Sequence, residues 1–115
     1  MKVDDFLPLA PAVLHILLSL AGEDLHGYGI MQEVARQSEG RYRLGPGTLY
    51  DNLQRLMKQR MVEEVSGGPE DKGSRRRYYR LSSLGRGVLT AEIARLDGVV
   101  REAKLHLKAP RPKEA

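Results

Sequence analysis

From Leu89 onward, apolar side chains recur as Leu89, Ile93, Leu96, Val100, Ala103 and Leu107, in steps of 4, 3, 4, 3 and 4. Steps alternating between 4 and 3 repeat every seven residues, and that heptad pattern, held for nearly three heptads, is a helical period that no strand satisfies. The helix therefore carries an apolar seam along one side, and that seam has to be covered. Folding back onto the first helix of the same chain is one solution. Pairing with the same helix of a second copy is the expectation, with these six residues as the dimer interface.

The rest of the chain is small. At 115 residues it has the length of one domain, with room for only a modest core. Its most apolar run, Leu7 to Ala21, is broken by Pro8, Pro11, His15 and Ser19. It falls short of the roughly 18 apolar residues a membrane span requires. Asp4 and Asp5 precede it, where a signal peptide carries positive charge. A cytoplasmic protein without membrane attachment is expected. Cysteine is absent, which excludes disulfides, thiolate catalysis and cysteine zinc sites.

Turn formers divide the chain into elements. A first helix reads from about Leu9 to Ala21, with Pro11 tolerated in its first turn. Glu23 to His26 reads as a short connector. A second helix runs from Gly27 or Tyr28 to about Gln37, burying Ile30, Met31 and Val34. Gly45-Pro46-Gly47-Thr48 opens a third, whose Leu49, Leu53 and Leu56 repeat at i, i+4, i+7 up to Gln59 or Arg60. Val62–Ser66 reads as a strand, although two adjacent glutamates break its alternation. Arg76–Leu81 reads as the return strand of a β-hairpin, with the Gly-rich stretch Gly67–Gly73 as its loop. Ser82 or Ser83 can cap the last helix. This order is that of a mainly α winged helix-turn-helix: a binding domain over 1–81, a dimerisation helix over 82–108 and a disordered tail over 109–115.

Charge is distributed unevenly. Residues 1–40 carry two basic side chains and six acidic ones, residues 41–80 ten and five, and residues 81–115 seven and four. The densest run, Lys72 to Arg80, holds five cations and no acid. Such a face suits a polyanion. At about 100° per residue, the side of the third helix opposite its leucines carries Gly47, Asp51, Gln54, Arg55 and Lys58. Glutamine and arginine are the side chains that pair bidentately with adenine and guanine in the major groove. Lys58 suits a phosphate, and Gly47 allows close backbone approach. Thr48 and Tyr50 flank that face beside the helix N-terminus, which attracts phosphates. Asp51 repels phosphate yet can accept from cytosine. Lys72, Arg75, Arg76 and Arg77 at the hairpin tip would grip the backbone or enter a minor groove. Double-stranded DNA is the expected partner. A two-fold dimer would set two such helices about 34–36 Å apart, matching a palindromic site.

Catalysis is not expected. His15, His26 and His106 lie on separate segments, and none has a metal-ligand partner at i+3 or i+4. No phosphate-cradling glycine motif is present, and the carboxylate pairs are adjacent in sequence rather than opposed. No cofactor is expected. The alternative function is a winged-helix module for docking another protein, which Asp51 on the outer face favours and the basic hairpin opposes.

Leu25-His26-Gly27-Tyr28-Gly29-Ile30, Leu44-Gly45-Pro46-Gly47-Thr48-Leu49-Tyr50 and Arg76-Arg77-Tyr78-Tyr79-Arg80-Leu81 with Leu84-Gly85 resemble the PadR family of bacterial transcriptional regulators, over about residues 7–107. The resemblance implies a winged-helix dimer on an operator, commonly a repressor, released by a small-molecule effector such as a phenolic acid. It is closest to the smaller branch with a single C-terminal helix. It implies that Thr48 and Tyr50 belong to the DNA-contacting helix start, that Tyr28 lies near the phosphates, and that Arg75 and Arg76 occupy the wing tip. It also implies a structural hydrogen bond for His26 at a helix start. The chain departs from the family's aromatic dimer pocket in having no tryptophan. An effector site would then draw on Phe6, Leu9, Val13, Leu96 and Val99.

Overall fold

A computed structural model describes residues 2–66 and 76–108. A 3-10 turn over Val3–Phe6 is followed by α1 (Pro11–Ser19), β1 (Leu25–His26), α2 (Gly27–Gln37), α3 (Pro46–Lys58), β2 (Val62–Ser66), β3 (Arg77–Leu81) and α4 (Ser83–Lys108). Pro11 and Pro46 each sit in a first helical turn, where a missing N–H costs nothing.

The core gathers one stripe from each element. Helix α1 contributes Ile16 and Leu17 and its C-cap Leu20, α2 Ile30 and Val34, α3 Leu49, Leu53 and Leu56, and α4 Val88 and Leu89. These spacings follow the 3.6-residue period, so each helix buries one side and leaves the other wet. On the sheet side, Val62, Tyr79 and Leu81 complete the core. The His15 ring lies flat on Tyr42, 4.4 Å between centroids, and closes the core edge between α1 and the α2–α3 link.

The sheet differs from the two-stranded hairpin expected from sequence. It has three antiparallel strands in the order β1-β3-β2. Leu25 and His26, read as a connector, pair with Tyr79 and Tyr78. Two residues are too few to show a period, and their partner lies more than fifty positions away. On the other side, Val62 pairs with Leu81 and Ser66 with Arg77. Adjacent Glu63 and Glu64 are tolerated because both are exposed, while Val62 at the start of β2 is fully buried. Arg77 and Tyr79 therefore point toward α3, while Tyr78 and Arg80 point the other way.

The end of α3 fixes the sheet to α4. Arg60 takes the left-handed conformation, φ 63°. The Arg60 N–H then reaches the Met57 carbonyl and the Met61 N–H reaches the Leu56 carbonyl, both at 3.0 Å. That is the crossed pair of bonds that closes a helix with a left-handed residue. Ser82 caps α4 as expected: its hydroxyl accepts from the Gly85 N–H at 3.0 Å and donates to the Arg60 carbonyl. Gly85 lies so close beneath Met61 that an added Cβ would land on the Met61 carbonyl.

Helix α4 then meets the N-terminal segment. Glu92 is 1% exposed, and its carboxylate accepts from the Leu9 N–H at 2.9 Å. Arg95 donates to both of its oxygens, at 2.6 and 3.0 Å. The Arg95 guanidinium, aided by the Leu9 N–H, holds the Glu92 carboxyl below its ordinary value despite burial. Beyond Glu92 the helix leaves the core.

Candidate nucleic-acid interface

Helix α3 presents its outer side as the sequence predicts. Leu49, Leu53 and Leu56 are buried, while Gly47, Thr48, Asp51, Gln54, Arg55 and Lys58 are exposed. Tyr50 is 48% exposed although it is the largest side chain of the helix. Its hydroxyl lies against Gly27, where an added Cβ would collide with it. Gly27 thus lets the first turn of α2 and the second turn of α3 approach closely.

The N-terminus of α2 carries the next part of the surface. His26 is its N-cap, and Nδ1 accepts from the Gly29 N–H at 3.0 Å. This is the structural hydrogen bond the resemblance implied. Tyr28 projects into solvent at 62% exposure, with its ring parallel to that of His26 at 6.5 Å. The Tyr78 edge meets His26 at 5.4 Å from β3. Strand and helix start are therefore joined through one imidazole.

The wing closes the surface. Arg76 and Arg77 are exposed. The Arg76 guanidinium lies 3.3 Å from His26 Nε2. Arg77 reaches toward Glu64 at 3.7 Å. Arg80, counted from sequence with the basic run, is held by Asp24 at 2.9 Å and faces away from α3. Burial, with the nearby Glu64 charge, pushes the Tyr79 hydroxyl above its ordinary value, so it stays a neutral wall. Lys72 and Arg75 lie outside the described residues. A cavity of about 420 Å³ lies between α2, α3 and β3, lined by His26, Gly27, Tyr28, Tyr50, Arg76, Arg77 and Tyr79. A second, of about 320 Å³, runs along α3 past Asp51, Gln54 and Met57. The structure thus brings Tyr28, Tyr50, Arg76 and Arg77 together, with Asp51 and Gln54 continuing the same surface. Among the described residues no group of three or more metal-ligating side chains is assembled.

Residues 13–91, the winged-helix part with the start of α4, match the Transcriptional regulator PadR-like family. The chain belongs to the PadR-like family of transcriptional regulators. It is 38% identical over 89 residues to the transcriptional regulator Rv3488 of Mycobacterium tuberculosis, covering 77% of this chain and 78% of that one. Its fold is similar to the crystal structure of a PadR family transcription regulator from Clostridium difficile, TM-score 0.68 at 24% identity, covering 85% and 99% of the two chains. A PadR-like transcriptional regulator from Bacillus cereus gives TM-score 0.72 at 19% identity, over 85% and 92%. PadR proteins are DNA-binding regulators rather than enzymes, and this chain has their winged-helix architecture.

The expected seam needs one correction in this PadR chain. Leu89 is 6% exposed and packed in the chain's own core, so it is not available to a partner. The reason is geometric: α4 still lies against α1 and the N-terminal turn at that point. Ile93, Val100, Ala103 and Leu107 are exposed and Leu96 is half-buried. Val99, left out of the seam on sequence, is 52% exposed on the same side. With it, the outward apolar face spans about 120° of arc from Ile93 to Leu107. Of the residues suggested for an effector site, Phe6, Leu9 and Val13 already pack against the core, while Val99 lies on the outward face.

Proposed function

We propose that this PadR regulator works as a homodimer that places two α3 helices in successive major grooves of a palindromic operator. On this reading it represses by occupying promoter DNA and is released when a small-molecule effector changes the angle between the halves. The observation that carries the reading is the exposed side of α3, with Gln54, Arg55 and Lys58 outward and three leucines behind. The flanking wing arginines add sequence-independent attraction, and Gln54 supplies the base-reading amide. The dimer is supported by the outward face of α4. Ile93, Val99 and Val100 are each about half exposed, and Leu107 is 85% exposed. A second α4 is the simplest cover for a stripe with heptad spacing.

The test is fluorescence-anisotropy titration of duplex from the protein's own promoter against scrambled duplex, over a salt series. A preference of about 10³-fold or more, with affinity falling steeply as salt rises, is expected. Gln54→Ala should change the sequence preference. Val100→Asp should sediment as a monomer and lose about 100-fold in operator affinity, because the second half-site is no longer held close to the first. Equal, weak, salt-sensitive binding to both duplexes would overturn the operator reading and favour a protein-docking module.

A further inference from the structure

The centre of the outward side of α3 carries a negative charge. At about 100° per residue, Asp51 lies within about 15° of the direction opposite Leu49, Leu53 and Leu56, and it is exposed. It is the only acid of the helix, which also holds Arg55 and Lys58. On a helix that enters the major groove, side chains at the flanks of the outer face approach the phosphate walls. Those at its centre meet the base edges on the groove floor, and the N-terminal turns make most of these contacts. Asp51 is in the second turn. Lys58 shares its direction but lies about 10 Å further along the axis, at the C-terminal end.

The fold gives this charge no partner. Arg55 stands four residues on, in the order that favours an ion pair along a helix. Yet among the described residues the Asp51 side chain forms no ion pair and no hydrogen bond. Arg77 lines the same cavity of about 320 Å³ and reaches toward Glu64 at 3.7 Å instead. Facing a polyanion, a lone carboxylate costs affinity unless the ligand offers it a donor.

The major groove offers two such donors, the amino groups at cytosine N4 and adenine N6; guanine and thymine present none. Adenine N6 lies between two acceptors, its own N7 and the thymine O4. A carboxylate brought to it meets negative charge on both sides. Cytosine N4 has guanine O6 on one side and the ring C5–H on the other, so one side is open to a carboxylate, which only accepts.

We propose that Asp51 is a specificity-determining residue that accepts a hydrogen bond from cytosine N4 at one C·G pair in each operator half-site. It acts by exclusion as much as by attraction. At any other pair the carboxylate is pressed against acceptors, and on unrelated DNA it faces phosphates. The inference rests on the DNA-binding reading and deepens it, adding one required base pair to the operator.

The test is a set of promoter duplexes in which each base pair in turn is replaced by the other three, titrated with wild type, Asp51→Ala and Asp51→Asn beside the scrambled duplex. The side chain is exposed, so both variants should keep the wild-type unfolding midpoint. Wild type should lose about tenfold when one particular C·G pair of a half-site is changed. Asp51→Ala should bind all four pairs at that position alike, and should hold the scrambled duplex about threefold more tightly than wild type. Asp51→Asn should turn the preference there from cytosine to adenine, because a side-chain amide pairs bidentately with adenine N6 and N7. Suppose wild type prefers its promoter but Asp51→Ala keeps the same base preferences throughout, or loses one only at a pair other than C·G. The proposal would then be overturned and the operator reading would stand. Weaker binding of Asp51→Ala to the scrambled duplex would also overturn it. A wild-type protein that bound promoter and scrambled duplexes equally would end both.

Discussion

Helix α4 has two halves that share one apolar period and differ in everything around it. From Ser83 to Glu92 it is part of the core: Val88 is wholly buried, Leu89 nearly so, and Gly85 lies under the Met61 carbonyl. From Ile93 to Lys108 it is surface, with only Leu96 and Gly98 half-covered. About 24 Å of helix therefore stands clear of its own fold. A continuous sequence repeat does not imply one continuous partner. The first repeat is consumed within the chain, and the change comes at Glu92, where a buried carboxylate ties the helix to Leu9.

The strongest way to break this contrast is at Gly85. Alanine there has to displace a backbone carbonyl rather than a side chain. Alanine's better helix propensity returns only about 1 kcal/mol. Gly85→Ala should cost about 2–4 kcal/mol net, read by urea unfolding at fixed protein concentration. A neutral result would mean that α4 and the α3–β2 turn are not locked together.

A smaller effect is expected at the boundary itself. Arg95, with the Leu9 N–H, lowers the Glu92 carboxyl below its ordinary value. Its contribution is therefore complete above the ordinary glutamate value of about 4.3 and is lost as the pH falls through the depressed folded value. Glu92→Gln keeps an acceptor for Leu9 and gives up the ion pair. It should cost about 1 kcal/mol at neutral pH, and the gap between variant and wild type should close on acidification below pH about 4. The readout is the difference between the two pH–stability curves. That difference cancels Glu33, whose carboxyl Arg36 also lowers. Parallel curves with no closing gap would remove the carboxylate from its tethering role.

Much of this was readable before any coordinates, for physical reasons that differ from element to element. The three leucines of α3 are a local period, which declares both the element and its wet side, and adjacent Tyr78 and Tyr79 mark β3 as extended without declaring which side is buried. Ser82 and Pro46 are punctuation whose effect is decided within one turn. What could not be read depends on partners far along the chain. Leu25 and His26 become a strand only because Tyr78 and Tyr79 lie beside them. Arg80 leaves the basic face because the strand pleat turns it away from α3, to where Asp24 waits more than fifty positions earlier in the chain. Glu92 reads as an ordinary solvent-facing glutamate until Leu9 is brought against it.

The mildest expected effect lies in the free half and has the opposite sign to that at Gly85. Gly98 is in the same helix, and an added Cβ there meets nothing within 4 Å. Its cost is only the backbone entropy of a glycine in a helix, so Gly98→Ala should raise stability by about 0.5–1 kcal/mol. The position also sharpens the dimer reading. At 100° per residue, Gly98 lies about 180° around the helix from the direction of Leu89, away from Ile93, Leu96 and Val100. A partner helix lying on that stripe would not feel the new methyl group. Sedimentation equilibrium should give the same dissociation constant for Gly98→Ala as for the wild-type chain. If alanine at 98 weakens association instead, the second copy packs on the other side of α4. The stripe from Ile93 to Leu107 would then need a different occupant, and the spacing of the two α3 helices on DNA would have to be rebuilt from that geometry.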